Sequence, residues 1–213
     1  MKTIRDLVWD IDGTLYRSTT DLLEAIRHET YRRIALDLNI PYEKARKKFL
    51  DLYAELGGAT ATILRLGLDR RLIQDAVDAV DKTRYVKRDQ QLLEMFEVAL
   101  KSFTHVIVTN TSRRGTMRTL EILGLSPDLF RGIVTADDVV RSKPDTEPFE
   151  RALAITGHPA SEHVSIGDRE KVDTVPAKAL GMKTIFVWGV SQMADASVLT
   201  VYDVPRVLEN WKD

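Results

Sequence analysis

The sequence contains no cysteine in 213 residues. That excludes a disulfide framework, thiolate metal ligands and a thiol nucleophile. Charge of one sign is also lacking: 31 Lys+Arg against 32 Asp+Glu leave −1 at pH 7. Nucleic acids and anionic membrane surfaces both reward a basic excess, so neither is expected as a partner. No apolar run approaches the roughly 18–20 residues needed to span a bilayer. The opening MKTIRDLVWD breaks its apolar stretches with charge, unlike a signal peptide. These absences predict a soluble, cytoplasmic protein. With 44% hydrophobic residues, the chain has ample material for one large domain or one domain carrying an insertion.

Five short runs rich in β-branched and aliphatic residues stand out, at 7–10, 105–109, 132–135, 163–166 and 183–187. Their apolarity is continuous rather than alternating, as in strands buried on both faces of a parallel sheet. Between the last four lie amphipathic segments of helical period. Residues 116–123 carry Met117, Leu120 and Leu123 before Gly124, and residues 147–156 carry Phe149, Ala152, Leu153 and Ile155 before Gly157. Helices alternating with buried strands predict a doubly wound α/β fold.

After the first run the pattern breaks. Residues 16–88 contain no convincing strand and far exceed the dozen or so residues a crossover needs. They read as an inserted helical cap, with helices near 21–38, 42–56, 60–66 and 70–84, punctuated by Pro41, Gly57-Gly58 and Gly67. The predicted division is therefore a core of 1–15 plus 89–213 and a cap of 16–88. A helix over 90–101 leads back to the second strand. A short loop and a final helix over 204–211 are expected in the tail.

In open α/β sheets, ligands bind beyond the carboxyl ends of the strands. The first run ends in Asp10-Ile-Asp12-Gly13-Thr14, the second in Thr109-Asn110-Thr111, and the fourth in Gly167-Asp168 with Asp173 following; Ser142-Lys143-Pro144 precedes the fourth. Asp10, Asp12 and Asp168 are too many carboxylates to share a site uncompensated, because like charges raise one another's pKa. A hard divalent cation such as Mg²⁺ would neutralise them and accept a phosphate oxygen. Lys143 then reads as a second cation, Thr109 as a neutral donor to the anion, Asp10 as the nucleophile and Asp12 as the general acid and base. The implied substrate is a phosphate ester.

In these motifs the chain resembles the haloacid dehalogenase superfamily, specifically its Mg²⁺-dependent phosphatases with a helical cap. The resemblance runs from Leu7 to about Val187. Asp10-Ile-Asp12-Gly13-Thr14 is similar to the family's first motif, Val106-Ile107-Val108-Thr109-Asn110 to the second, Lys143 to the third, and Gly167-Asp168 with Asp173 to the fourth. Four motifs in order, with the insertion where the family places its cap, make the resemblance specific. It implies a strand order of 3-2-1-4-5. It further implies metal ligation by the Asp10 carboxylate, the Asp12 backbone carbonyl and the Asp168 carboxylate, with Asp173 in a less direct supporting role. Phosphate contacts fall to Thr109, Asn110 and Lys143.

The individual motifs each have plainer readings. An Asp-x-Asp before Gly-Thr is commonly turn chemistry, Lys143 alone would pass for a solvated lysine, and Gly167-Asp168 for a strand-to-helix turn. Their joint occurrence decides for function. Arg113-Arg114 read first as a solvated helix face, with an approach to substrate as the lesser reading, whereas for Gly57-Gly58 a substrate-recognising loop and a simple helix stop stand equal. The histidines lack the spacing of a metal cluster.

The leading expectation is a phosphomonoester hydrolase working through a phospho-aspartate on a small phosphorylated substrate. A phosphomutase of the same family is the alternative. A dehalogenase is disfavoured, because such relatives lack the acid/base corresponding to Asp12. A non-enzymatic phospho-receiver switch would place its phosphorylated aspartate after the third strand, where Thr135-Ala136-Asp137-Asp138 stands without a matching acid pair. The identity of the ester is not legible, and an exposed face of the cap leaves room for a homodimer.

Overall fold

The computed structural model describes residues 3–211. It resolves into two compact units, Met1–Ser18 with Val86–Asp213, and Thr19–Tyr85 between them. The first is built on a parallel sheet in the order β3-β2-β1-β4-β5-β6. Its strands are β1 (Asp6–Trp9), β2 (Thr104–Val108), β3 (Gly132–Val134), β4 (His163–Gly167), β5 (Lys183–Val187) and β6 (Ala196–Val198). The α/β class and the order of the first five strands agree with expectation. The sixth, paired with β5 through Ile185↔Ala196 to Val187↔Val198, was not foreseen. Three residues, only Val198 of them buried, carry too little periodicity to read as a strand.

β1 is central because its four residues are buried on both faces and pair in parallel with β2 and β4. Adjacent side chains of a strand point to opposite faces. Val8, Val106, Val108 and Val134 pack with Phe149 and Ala152 of α7 (Glu147–Thr156) and with Ala177 of α8 (Val175–Ala179). On the other face Trp9 meets Phe96 at 5.1 Å between ring centroids, and Phe96 meets Phe130 at 5.5 Å. His105 completes that aromatic layer. Its Nδ1 accepts from Trp9 Nε1 at 3.1 Å, which leaves Nε2–H to donate to the Leu100 carbonyl at 3.2 Å. Burial pushes this imidazole down to about 4, so it is a neutral core residue.

The helix expected over 90–101 is α5 (Gln90–Glu94), running directly into a π-helical turn, Met95–Ala99. Helix α6 (Arg113–Leu123) starts where the Ser112 hydroxyl accepts the Gly115 N–H at 3.0 Å and stops at Gly124, φ 81°. The final helix, α9 (Val204–Asn210), closes the chain.

The second unit contains α1 (Thr20–Asp37), α2 (Tyr42–Leu56), α3 (Ala59–Arg65) and α4 (Leu72–Ala79) around Tyr31, Ile34, Phe49, Ile63 and Leu72. α2 ends because Gly57, φ 69°, takes the left-handed conformation that closes a helix. α4 is shorter than the segment read from periodicity, since Val80 turns extended and only a 3₁₀ turn, Lys82–Arg84, follows. None of the described helices is long and apolar enough to cross a membrane.

Candidate active site

The loop leaving β1 carries Asp10 and Asp12. Asp10 is 3% exposed and its backbone N–H still bonds Ile166 of β4 at 3.0 Å, which holds it at the sheet's carboxyl edge. Gly13, φ 94°, lets the chain turn there, and Thr14 and Leu15 N–H both return to the Ile11 carbonyl at 3.0 Å. A Cβ on Gly13 would stand 2.3 Å from Asp168 Oδ2, so glycine is required for the close approach of the first motif to the fourth. Gly167 serves similarly, since a Cβ there would meet that of Asp173 at 2.4 Å.

The Asp10 carboxylate accepts from Thr14 Oγ1 on Oδ2 at 3.0 Å and from Lys143 Nζ on Oδ1 at 2.8 Å. Lys143 Nζ also donates to Asp173 Oδ1 at 2.7 Å and to the Val108 carbonyl at 2.8 Å. Oxygens of Asp10, Asp168 and Asp173 all lie within 4.8 Å of one another. Burial and then the neighbouring Asp10 charge push Asp168 up to about 7. Burial likewise raises Asp10 against the pull of Lys143. Burial opposes the charge on Lys143, but Asp10 and Asp173 outweigh it and keep the ammonium protonated. Arg169 adds a second, looser cation, with Nε 3.8 Å from Asp168 Oδ1 and 4.0 Å from Asp173 Oδ2. Asp168 Oδ1 is buried without a hydrogen-bond partner, the Arg169 Nε standing too far off at 3.8 Å, an arrangement that costs free energy until a donor or a coordinated cation meets it. Three converging carboxylates, one oxygen orphaned, form the oxygen donor set a hard divalent ion takes.

Asp12 stands apart from that triad. Its carboxylate is held by the Tyr16 hydroxyl on Oδ1 and by the Thr111 hydroxyl on Oδ2, the latter at 2.5 Å. Burial and the Asp12 charge push the Tyr16 phenol far up, so it stays a donor. Tyr16, assigned from sequence to the insertion, lies in the sheet unit, where it bridges to Asp12. Thr109 is buried after β2; its hydroxyl accepts the Thr111 N–H at 3.2 Å and keeps its own proton for another acceptor. Asn110 clamps the lysine loop: its Nδ2 donates to the Lys143 carbonyl at 2.8 Å and its Oδ1 accepts the Lys143 N–H at 2.9 Å. Trp188, just past β5, holds φ at 64°, an unusual conformation for a bulky residue. It donates from Nε1 to the Thr14 carbonyl at 3.0 Å.

The remaining sequence candidates lie elsewhere. The Arg113 guanidinium bonds both Asp138 oxygens and the Ile133 carbonyl, and its N–H bonds Asp137, so this arginine and the acid pair after β3 secure a loop. Gly57-Gly58 closes α2 and opens α3, with nothing within 4 Å of either Cβ position. Sequence reasoning did not assign the roles of Thr14, Thr111 or Trp188. Hydroxyls near the ends of strands were the available signal, but spacing does not say which carboxylate each will reach.

The site is thus an acidic cluster with Lys143 and Arg169 beside it, at the carboxyl edge of a parallel sheet interrupted after its first strand by a helical segment. The chain belongs to the haloacid dehalogenase-like hydrolase family, whose model matches residues 7–187. It is therefore a hydrolase of that family. It is 28% identical to pyrophosphatase PpaX of Halalkalibacterium halodurans over 86% of this chain and 83% of that protein. Its identity to glyceraldehyde 3-phosphate phosphatase of Methanocaldococcus jannaschii is 29%, over 85% and 84%. In fold it is similar to a HAD phosphatase from Thermococcus onnurineus (TM-score 0.72, 22% identity, 96% and 98% covered). It is also similar to the putative HAD-hydrolase YfnB from Bacillus subtilis, solved with magnesium bound (TM-score 0.62, 18% identity, 98% and 100% covered).

Proposed function

We propose that this protein is a Mg²⁺-dependent phosphomonoester hydrolase that works through a phospho-aspartate on Asp10. The observation that carries the reading is the different setting of the two aspartates of one loop. Asp10 is buried, cationically paired and fixed by Thr14. Asp12 is held separately by two hydroxyls. One is suited to attack and the other to move a proton.

An Asp10 oxygen bonds to phosphorus while the bond to the leaving oxygen breaks, and Asp12 donates its proton to that oxygen. Asp12 then takes a proton from water as the water oxygen attacks phosphorus. The Asp10–phosphorus bond breaks, inorganic phosphate leaves, Asp10 is again a carboxylate and Asp12 again carries the proton with which it began the cycle. Thr109 supplies a neutral donor to the phosphoryl group, and Lys143 fixes Asp10 in the buried site. Mg²⁺ would be held by the carboxylates of Asp10 and Asp168 and the Asp12 backbone carbonyl, with Asp173 beside them, and would neutralise charge on the phosphoryl oxygens. The relatives named for pyrophosphate and for a triose phosphate support small phosphorylated substrates, with the particular ester open.

Asp12→Asn with p-nitrophenyl phosphate tests the sequence of events. This leaving group departs with little help from an acid, so the first step should survive, whereas loss of proton transfer typically costs about 10²–10⁴-fold. The expected result is a burst of nitrophenolate, a stall, and one phosphoryl adduct on the Asp10 peptide by mass spectrometry. Asp10→Asn should show neither. An adduct elsewhere, turnover in Asp10→Asn, or full activity of the wild-type protein in metal-free buffer would overturn the assignment.

A further inference from the structure

Trp188 carries a backbone strain that its side chain explains. It follows β5 directly and holds φ at 64°, a left-handed conformation that bulky residues rarely adopt. Glycine takes that conformation freely, yet the glycine stands one position later, at Gly189. Such strain persists only where the surroundings over-determine it, and it collects at working sites. Two contacts determine Trp188. Its ring meets that of Tyr202 edge to face, at 6.4 Å between centroids and 89° between planes. The Tyr202 hydroxyl is anchored in turn on the Asp89 carboxylate, which also accepts the Leu92 N–H at 2.8 Å at the start of α5. Braced in this way, the indole gives its one polar proton, on Nε1, to the Thr14 carbonyl at 3.0 Å, across 174 positions of sequence.

That carbonyl belongs to a fully buried residue at the end of the first motif. The same turn brings Gly13 against Asp168 and leads into Tyr16, whose hydroxyl holds Asp12. We propose that Trp188 is a positioning residue for the reaction. Its Nε1–H fixes the Thr14–Leu15 peptide, and with it the turn that carries Asp10 and Asp12. The inference rests on the phosphatase reading above and adds to it a residue that acts through the turn, not on the phosphate.

Histidine and tryptophan carry a nitrogen donor at the same ring position, Nε2 and Nε1. Trp188→His therefore keeps the donor and loses the benzo ring, whereas Trp188→Phe keeps an aromatic ring and loses the donor. With p-nitrophenyl phosphate and Mg²⁺, kcat should fall roughly 5–20-fold in Trp188→Phe, the effect of leaving a buried carbonyl unpaired. KM should stay within about 2-fold, because binding of the ester is not what the turn supplies. Trp188→His should turn over faster than Trp188→Phe although it packs less surface against Tyr202. A packing role alone ranks the two the other way, and that ranking would overturn the proposal, as would unchanged kcat in Trp188→Phe or a loss confined to KM. A second readout needs no turnover. In ¹⁵N-labelled wild-type protein, Mg²⁺ should shift the indole N–H resonance of Trp188, assigned by its absence from Trp188→Phe. The resonance of Trp211, whose ring lies 4.4 Å from Lys183 Nζ, should stay in place. Wild-type protein that hydrolyses no ester yet shows this shift would sink the phosphatase reading and support the link from Trp188 to the first motif. An active wild type whose Trp188 resonance ignores Mg²⁺ would overturn the link and leave the phosphatase reading standing.

Discussion

Lys143→Met removes the ammonium that two buried carboxylates share while keeping much of its volume. Both partners are about 2% exposed and the lysine 1%, so water cannot take its place cheaply. Removing one member of a buried ion pair typically costs 3–5 kcal/mol, roughly, because the remaining charge is left uncompensated. At about 2–4 °C per kcal/mol for a chain of this size, the melting temperature should fall by ~10 °C in chelator. Tryptophan fluorescence is the right probe, since Trp9, Trp188 and Trp211 all belong to the sheet unit and report its melting separately from the helical unit. Mg²⁺ added back should recover more degrees in the variant than in wild type, because the ion enters a cluster that has lost a competing cation. Even at saturating Mg²⁺ the rate should remain roughly 10²–10³-fold down, as for other lost anion-stabilising groups. A variant that melts within about 2 °C of wild type in chelator would refute the reasoning. Lys143 would then not be the counter-charge of Asp10 and Asp173.

Gly13→Ala puts a methyl group where Asp168 Oδ2 stands and strains a φ of 94°, so Mg²⁺ affinity should drop by roughly 10–100-fold. Gly58→Ala, with open space and no positive φ, is the control, and a titration in which both bind Mg²⁺ equally would remove Asp168 from the site. His105 is held neutral, with its pKa lowered from 6.5 to about 4. Its contribution to stability is complete above the unfolded value and is lost as pH falls from about 6.5 towards 4, on the order of 3 kcal/mol. His105→Phe should be less stable than wild type at pH 7.5, because Trp9 Nε1 and the Leu100 carbonyl lose their partner, yet should show a shallower decline on acidification. Equal acid sensitivity in denaturant melts of the two proteins would show that this histidine is not what titrates.

Much of the fold was legible because its signals are local. Strands buried on both faces must be apolar throughout, which marked β1, β2, β4 and β5, and Gly57, Gly124 and Gly157 stopped their helices where the left-handed conformation demands glycine. β6 was invisible because its three residues become a strand only by pairing with β5. The same division runs through the site. The carboxylates, the lysine and their order were readable from motifs at the ends of strands. Their partners were not. Lys143 reaches Asp10 across 133 positions and Thr111 reaches Asp12 across 99, distances at which sequence spacing carries no geometry. Register between parallel strands settles which oxygen meets which donor. That register brings the Lys143 ammonium to Asp10, Asp173 and the Val108 carbonyl together, a meeting of three distant segments that only the folded chain makes.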